Sequence, residues 1–325
     1  MRLNLLLVAA LLVLLALGLL LGETALSAAQ YAQAFGDPAS GPGEILWAIR
    51  APRVVAAAVV GAALGLAGAV MQGLLRNPLA DPGVLGVSAG AGLGASLAIA
   101  LGLAALPGGT EAAALAAALA TGLLLTALAA RFREPETLIL FGVALSAFAG
   151  ALTSLIFNLS PSPVTTAEIL SWLMGSVANR SWSDIGWELA PMTLGAVLCV
   201  YAARGLVMLT LGEETAAMSG LPMGRLRAAA VAGASLLTGA AVAMAGIIGF
   251  VGLAAPHLVR AGAGADPAKA LAPSALAGAL LLTAADIAAR MIPTDQELKL
   301  GVVTALFGAP LFALIAWRAA RSWRV

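Results

Sequence analysis

The sequence predicts an all-α integral membrane protein, a single domain over residues 1–325 built as a bundle of about ten transmembrane helices. Two observations carry that expectation. Hydrophobic residues make up 61% of the chain and charged residues 10%, where a soluble domain carries roughly a quarter charged residues. The apolar residues also gather into runs about long enough to cross ~30 Å of hydrocarbon, and the runs recur from one end of the chain to the other. A formal net charge of +1 without a basic cluster excludes nucleic acid as a partner. The one cysteine, Cys199, lies inside an apolar run, so no intrachain disulfide is available.

The first run, 3–21, follows Arg2. It exceeds the roughly 7–15 residues of a signal-peptide core and reads as a retained helix, with the small residues Ser27 and Ala29 keeping cleavage open as the minority reading. Further spans follow at 52–75, 84–105, 112–130, 137–158 and 188–209. Residues 228–262 form one apolar stretch too long for a single crossing, so it divides near Gly246 into 228–246 and 247–262. The last two spans are 271–291 and 302–318.

An even number of spans puts both termini on one side. With that side cytoplasmic, Arg2, Arg76, Arg131, Arg133, Arg204, Arg225, Arg227, Arg260, Lys269, Arg318, Arg321 and Arg324 lie inside, and Arg50, Arg53, Arg180, Arg290 and Lys299 lie outside. This bias matches the excess of basic residues in cytoplasmic loops. Glycines at three- and four-residue spacing, Gly61, Gly65 and Gly68 or Gly90 and Gly94, give helix faces small enough for close packing in lipid. The longer polar segments 22–51 and 159–187 fall on the outer face with Trp47, Trp172, Trp182 and Trp187 in or beside them, and could form a docking surface.

The connector Arg76-Asn77-Pro78-Leu79-Ala80-Asp81-Pro82-Gly83 is stiffened by two prolines. It is flanked by Arg50-Ala51-Pro52-Arg53 and Gln72 upstream and by Leu85-Gly86-Val87 and Gly90-Ala91 downstream. This stretch resembles the signature of the FecCD-type permeases of ABC importers, which handle ferric siderophores, haem and cobalamin. Gly246-Ile247-Ile248-Gly249-Phe250-Val251-Gly252-Leu253 with Pro256-His257-Leu258-Val259-Arg260 looks like a second family signature. A third is Ala285-Asp286-Ile287-Ala288-Ala289-Arg290, then Glu297-Leu298, Gly301-Val302-Val303-Thr304-Ala305 and Gly308-Ala309-Pro310.

The resemblance implies a type II importer permease of the bacterial inner membrane. It would work as a homodimer around a central path, with two cytoplasmic ABC ATPase subunits and a periplasmic or surface solute-binding protein. Neither Lys269 nor Lys299 follows glycine, so the chain carries no P-loop and is no enzyme by itself; ATP and Mg belong to the partner ATPase. The chain is expected to hold no cofactor or metal of its own, and His257 as the only histidine leaves no multi-histidine site.

Site residues follow from the same resemblance. The segment 211–222, with Gly212, Glu213, Glu214, Ala217, Ser219, Gly220, Leu221 and Pro222, reads as a short helix closed by glycine and proline, and similarity places it against the ATPase on the cytoplasmic side. Arg50, Arg53 and Arg290 match family positions that present arginine to carboxylates of the binding protein, which suits the planar guanidinium fork. Helix anchoring for the first two, and a local pair with Asp286 for Arg290, are the alternatives. The inner gate would involve Pro135, Glu136 and Thr137, and the path wall Thr153, Ser154 and Asn158. Gln72, Asn77, Pro78, Pro82, Gly83, Gly249, Pro256, His257 and Asp286 read as structural signature residues. An iron complex is the leading cargo, cobalamin a close second and an oxyanion such as molybdate a lesser possibility. A competing class is a secondary transporter driven by an ion gradient, with the intramembrane Asp286 as its coupling site.

Overall fold

A helix in lipid must satisfy its own backbone, so apolar runs of this length have one outcome available to them. A computed structural model describes residues 2–132, 135–160, 162–264, 266–292 and 297–322, and the regular elements among them are all helical. In chain order they are α1 Arg2–Leu20, α2 Ala28–Gly36, α3 Gly41–Glu44, α4 Ala51–Leu75, α5 Val87–Ala100, α6 Gly109–Arg131 and α7 Pro135–Leu159. There follow α8 Pro163–Leu173, α9 Trp182–Leu209, α10 Glu213–Met218, α11 Met223–Ala245, α12 Val251–Ala263, α13 Pro267–Met291 and α14 Leu300–Ser322.

The ten expected spans correspond to α1, α4, α5, α6, α7, α9, α11, α12, α13 and α14. Among the described residues, seven helical runs are long and apolar enough to cross a membrane unaided. One of these is continuous from Gly41, because a π-helical turn at Ile45–Arg50 joins α3 to α4. Boundaries depart from expectation where capping decides them. The sixth span starts at Trp182 because Ser181 and Asp184 form a capping box. The third is cut by a short 3₁₀ turn at Pro82–Leu85 before α5 and another at Leu103–Ala105 after it. The polar segments are not plain loops: Ser27 and Gln30 cap α2, and Ser162 caps α8.

The core is α4 with α11, α12 and α13. Its helices approach closely because the facing residues are small: a methyl group on Gly61, Gly65 or Gly68 would drive into backbone carbonyls of Gly278, Ser274 and Gly252. Gly90 and Gly94 perform the same service between α5 and α6. Cys199 is a fully buried core residue against Gly233.

Two spans are broken. α11 ends at Ala245, residues 246–250 run on without helix, and α12 resumes at Val251. The split near Gly246 is therefore real, and Gly252 packs against Leu64, halfway along α4. On the other side, the connector 76–86 reaches into the bundle until Pro82 touches Gly252. α5 and α12 are thus half-length helices whose N-termini both begin at mid-depth.

Candidate functional site

Following the helices through the bundle puts Arg2 of α1, the C-terminus of α6 at Arg131 and the 210–222 segment at one end. Arg50, Arg180 and Arg290 stand at the other.

At the first end, the helix of segment 211–222 is shorter than its sequence suggests. Only Glu213–Met218 is helical, bounded by Gly212 at φ 98° and Gly220 at φ 75°, left-handed conformations that glycine adopts without strain. Ser219 closes the helix with its N–H and hydroxyl on the Ala216 carbonyl, and Pro222 precedes α11. Ala216 is buried as the anchor, whereas Met218 is 83% exposed and Glu214, Ala217, Ser219 and Gly220 also face outward. The side chain of Glu213 lies outside the described residues. Glu214, Ala217 and Leu221 share a cavity of about 540 Å³ with Arg131, Phe132 and Arg227.

At the opposite end, the three arginines expected to face a docking protein are turned inward. Arg50, 4% exposed, donates to the carbonyls of Leu19 (3.0 Å), Leu20 (3.1 Å) and Thr24 and to the Tyr31 hydroxyl (2.9 Å). Arg290, 8% exposed, donates to Gly18 (3.1 Å) and Leu21 (3.3 Å). These acceptors are the last carbonyls of α1 and the turn beyond it, which have no partner within their own helix and carry the negative end of its dipole. Arg53 holds Asp286 Oδ1 through Nε (2.9 Å) and Nη2 (2.8 Å) and also pairs with Glu297. Arg290 lies 2.9 Å from the other oxygen, Asp286 Oδ2, so the expected local pair is present. Asp286 is fully buried and shared between two guanidiniums.

A second charged group at this end was not anticipated. Arg180 pairs with Glu111 at 2.8 Å, and the carboxyl of Glu188 is buried near both with Oε2 unpartnered. Charges at the first turn of one span and just before another were visible in the sequence, but nothing there paired them.

The expected gate residues open α7: Glu136 and Thr137 are in its first turn, and the side chain of Pro135 lies outside the described residues. Thr153 and Ser154 donate to Ala149 and Gly150 one turn back, and Asn158 donates to Ser154. Ser154 and Asn158, one turn apart, are exposed, as are Leu140, Phe148 and Leu155 along the same helix.

Apart from Asp286, the signature residues lie on the connector, α4, and α12 with the unwound stretch before it. Gln72 donates to the Leu253 carbonyl (3.3 Å) and accepts from Arg260 (2.9 Å), tying α4 to α12. Asn77 accepts from Leu79 N–H and Asp81 from Gly83 N–H, each folding the connector back on itself, with Pro78 between them and Pro82 opening the 3₁₀ turn. Pro256 sits inside α12 with half-buried His257 after it, and Gly249 lies in the unwound stretch. No group of three or more potential metal ligands occurs among the described residues.

A model of the FecCD transport family matches residues 10–318. An uncharacterized ABC transporter permease protein, YvrB of Bacillus subtilis, is 44% identical over 287 residues, covering 86% of this chain and 80% of that protein. The vitamin B12 import system permease protein BtuC of Salmonella typhimurium is 41% identical over 288 residues, 88% of each chain. A solved structure described as an inward-facing conformation of a metal-chelate type ABC transporter superposes with a TM-score of 0.87 at 32% identity, covering 98% of this chain and 99% of the other.

Proposed function

The chain belongs to the FecCD transport family, and from that premise we propose that it forms the membrane path of an ATP-driven importer whose cargo is a bulky metal chelate, cobalamin or an iron complex. Similarity over nearly the whole length to a vitamin B12 permease and to a metal-chelate transporter carries this reading. It lies in the bacterial inner membrane with both termini and α10 in the cytoplasm, as the basic residues at that end favour. Two copies enclose the path, which accounts for the exposed apolar side chains of α7 and α14, among them Phe148, Leu306 and Phe307. ATP and Mg are held by separate ATPase subunits.

Each ATPase subunit engages α10 and the neighbouring cavity, so that displacement on ATP binding is passed to α9 and α11 through Gly212 and Pro222. A solute-binding protein docks at the opposite end. For Arg50, Arg53 and Arg290 to take part, a docking carboxylate must compete with internal partners. Arg53 is the best placed, because its second partner, Glu297, has a side chain 24% exposed. Ser154 and Asn158 on α7 supply polar contacts along the path, and Glu136 and Thr137 flank its inner mouth.

The test is purification of the complex from its native membrane in mild detergent, followed by reconstitution with cyanocobalamin or a ferric siderophore. An ATPase subunit in equal amount and ATP-dependent uptake of one of the two are expected. Reproducible absence of the ATPase from intact, folded permease would overturn the reading. Within such a complex, Glu214→Lys should abolish transport and stimulated ATP hydrolysis while thermal stability changes by less than about 0.5 kcal/mol, as for an exposed site. Unchanged transport would remove α10 from the coupling role.

A further inference from the structure

Where the two broken spans meet there is a cavity of about 420 Å³, and we propose that it is a site for ordered water at mid-membrane depth. Its walls include Asp81 and Ser88 from the connector and α5, Thr238 from α11, the unwound residues 247–250, and Phe312 from α14. Three independent features require hydrogen-bonding molecules there.

The first is Thr238. It is 1% exposed, it lines the cavity, and its hydroxyl has no partner. A buried hydroxyl without a hydrogen bond is costly, and nothing obliges threonine at a position where valine has the same shape. The second is the backbone: the N–H groups of Ile247, Ile248, Gly249 and Phe250 find no acceptor in the described chain. Four consecutive unpaired donors in hydrocarbon would be prohibitive, and irregular backbone at this depth is tolerated where it is buried in protein or lines a water-filled space. The third is electrostatic. The N-termini of α5 and α12 begin at this cavity, and the first-turn N–H groups of each lack partners within their helices.

A cation is disfavoured by those two positive helix ends, and Asp81, the one acidic side chain among the lining residues, already accepts from Gly83 N–H. A further anion would lie beside that carboxylate. Water satisfies all three kinds of group, and at about 30 Å³ per molecule the space admits several. Hydration of this joint would let α12 turn relative to α11 by exchanging water partners, without exposing bare peptide groups to lipid.

Fast X-ray radiolysis of the assembled transporter in lipid nanodiscs reads this directly, because bound water generates hydroxyl radicals that label adjacent side chains. Phe250 and Leu253 should be labelled at rates comparable to exposed Met218. In Thr238→Met, which fills the cavity, their labelling should fall several-fold while Met218 is unchanged. If that variant does not fold, near-isosteric Thr238→Val serves instead and should reduce labelling less. Unlabelled Phe250 and Leu253 in the parent protein, with Met218 labelled, would show the cavity dry and overturn the proposal. Labelling that rises when sodium is replaced by choline would overturn it in favour of a bound cation.

Discussion

α4 and α7 are both 25-residue helices of similar apolar content, yet α4 is sunk in the core and α7 lies almost wholly on its surface. In the most apolar stretch of the run containing α4, 72% of residues are buried, against 11% in α7. The difference is size rather than hydrophobicity. α4 faces its neighbours with Gly61, Gly65, Gly68 and a series of alanines, while α7 carries Leu140, Phe141, Phe148 and Leu155 outward. In lipid, a large apolar side chain gains nothing by leaving hydrocarbon, so burial follows close backbone approach.

The comparison can be broken most severely at the ion cluster that closes the N-terminal end of α4. Asp286→Ala leaves Arg53 and Arg290 without their shared carboxylate and should destabilise the protein by on the order of 3–5 kcal/mol. This is measured as a lower midpoint in detergent melting; an unchanged midpoint would mean that the carbonyls of α1 and Glu297 suffice. Next in size, Gly65→Ala forces α4 from α13 and should cost about 1–3 kcal/mol in the same assay, and a neutral result would refute packing by small residues. On α7, Phe148→Leu should change the stability of the isolated chain by less than about 0.5 kcal/mol. A large loss confined to the assembled transporter would show the face to be an interface between copies. The smallest effect is expected from Asn158→Ala, whose amide bonds only to its own helix. Stability should not move, and a several-fold fall in uptake would put the residue on the cargo path.

Much of this was legible in the sequence because length and side-chain volume act locally. The break at Gly246 followed from a run too long for one crossing, and the glycine faces of α4 and α5 followed from spacing. Arg50, Arg53 and Arg290 were legible as positions, and the Arg290–Asp286 pair from its spacing, but their other partners were not. Arg50 and Arg290 bond backbone carbonyls at the end of α1, and Arg50 also the Tyr31 hydroxyl, which leave no mark in residue type, while Arg53 finds Asp286 from 233 residues away. Glu111 and Arg180 meet across 69 residues, and Thr238 resembles any small residue of a helix face until the cavity beside it is known. The length of α10 was overestimated because Ser219, a plausible helical residue, instead turns its hydroxyl back to Ala216 and stops the helix.

The clasp around Asp286 also sets an order of events during synthesis. Arg53 reaches the membrane 233 residues before its carboxylate partner, and Arg290 finds its acceptors on a helix made 272 residues earlier. Through most of translation Arg53 has no acidic counterpart from α13, whereas the acceptors of Arg50 are already made. The first and ninth spans are joined only when α13 has entered the bilayer. A nascent chain arrested before Asp286 should therefore hold its early helices loosely, with Arg53 open to solvent, and the last quarter of the protein would act as the lock on the first.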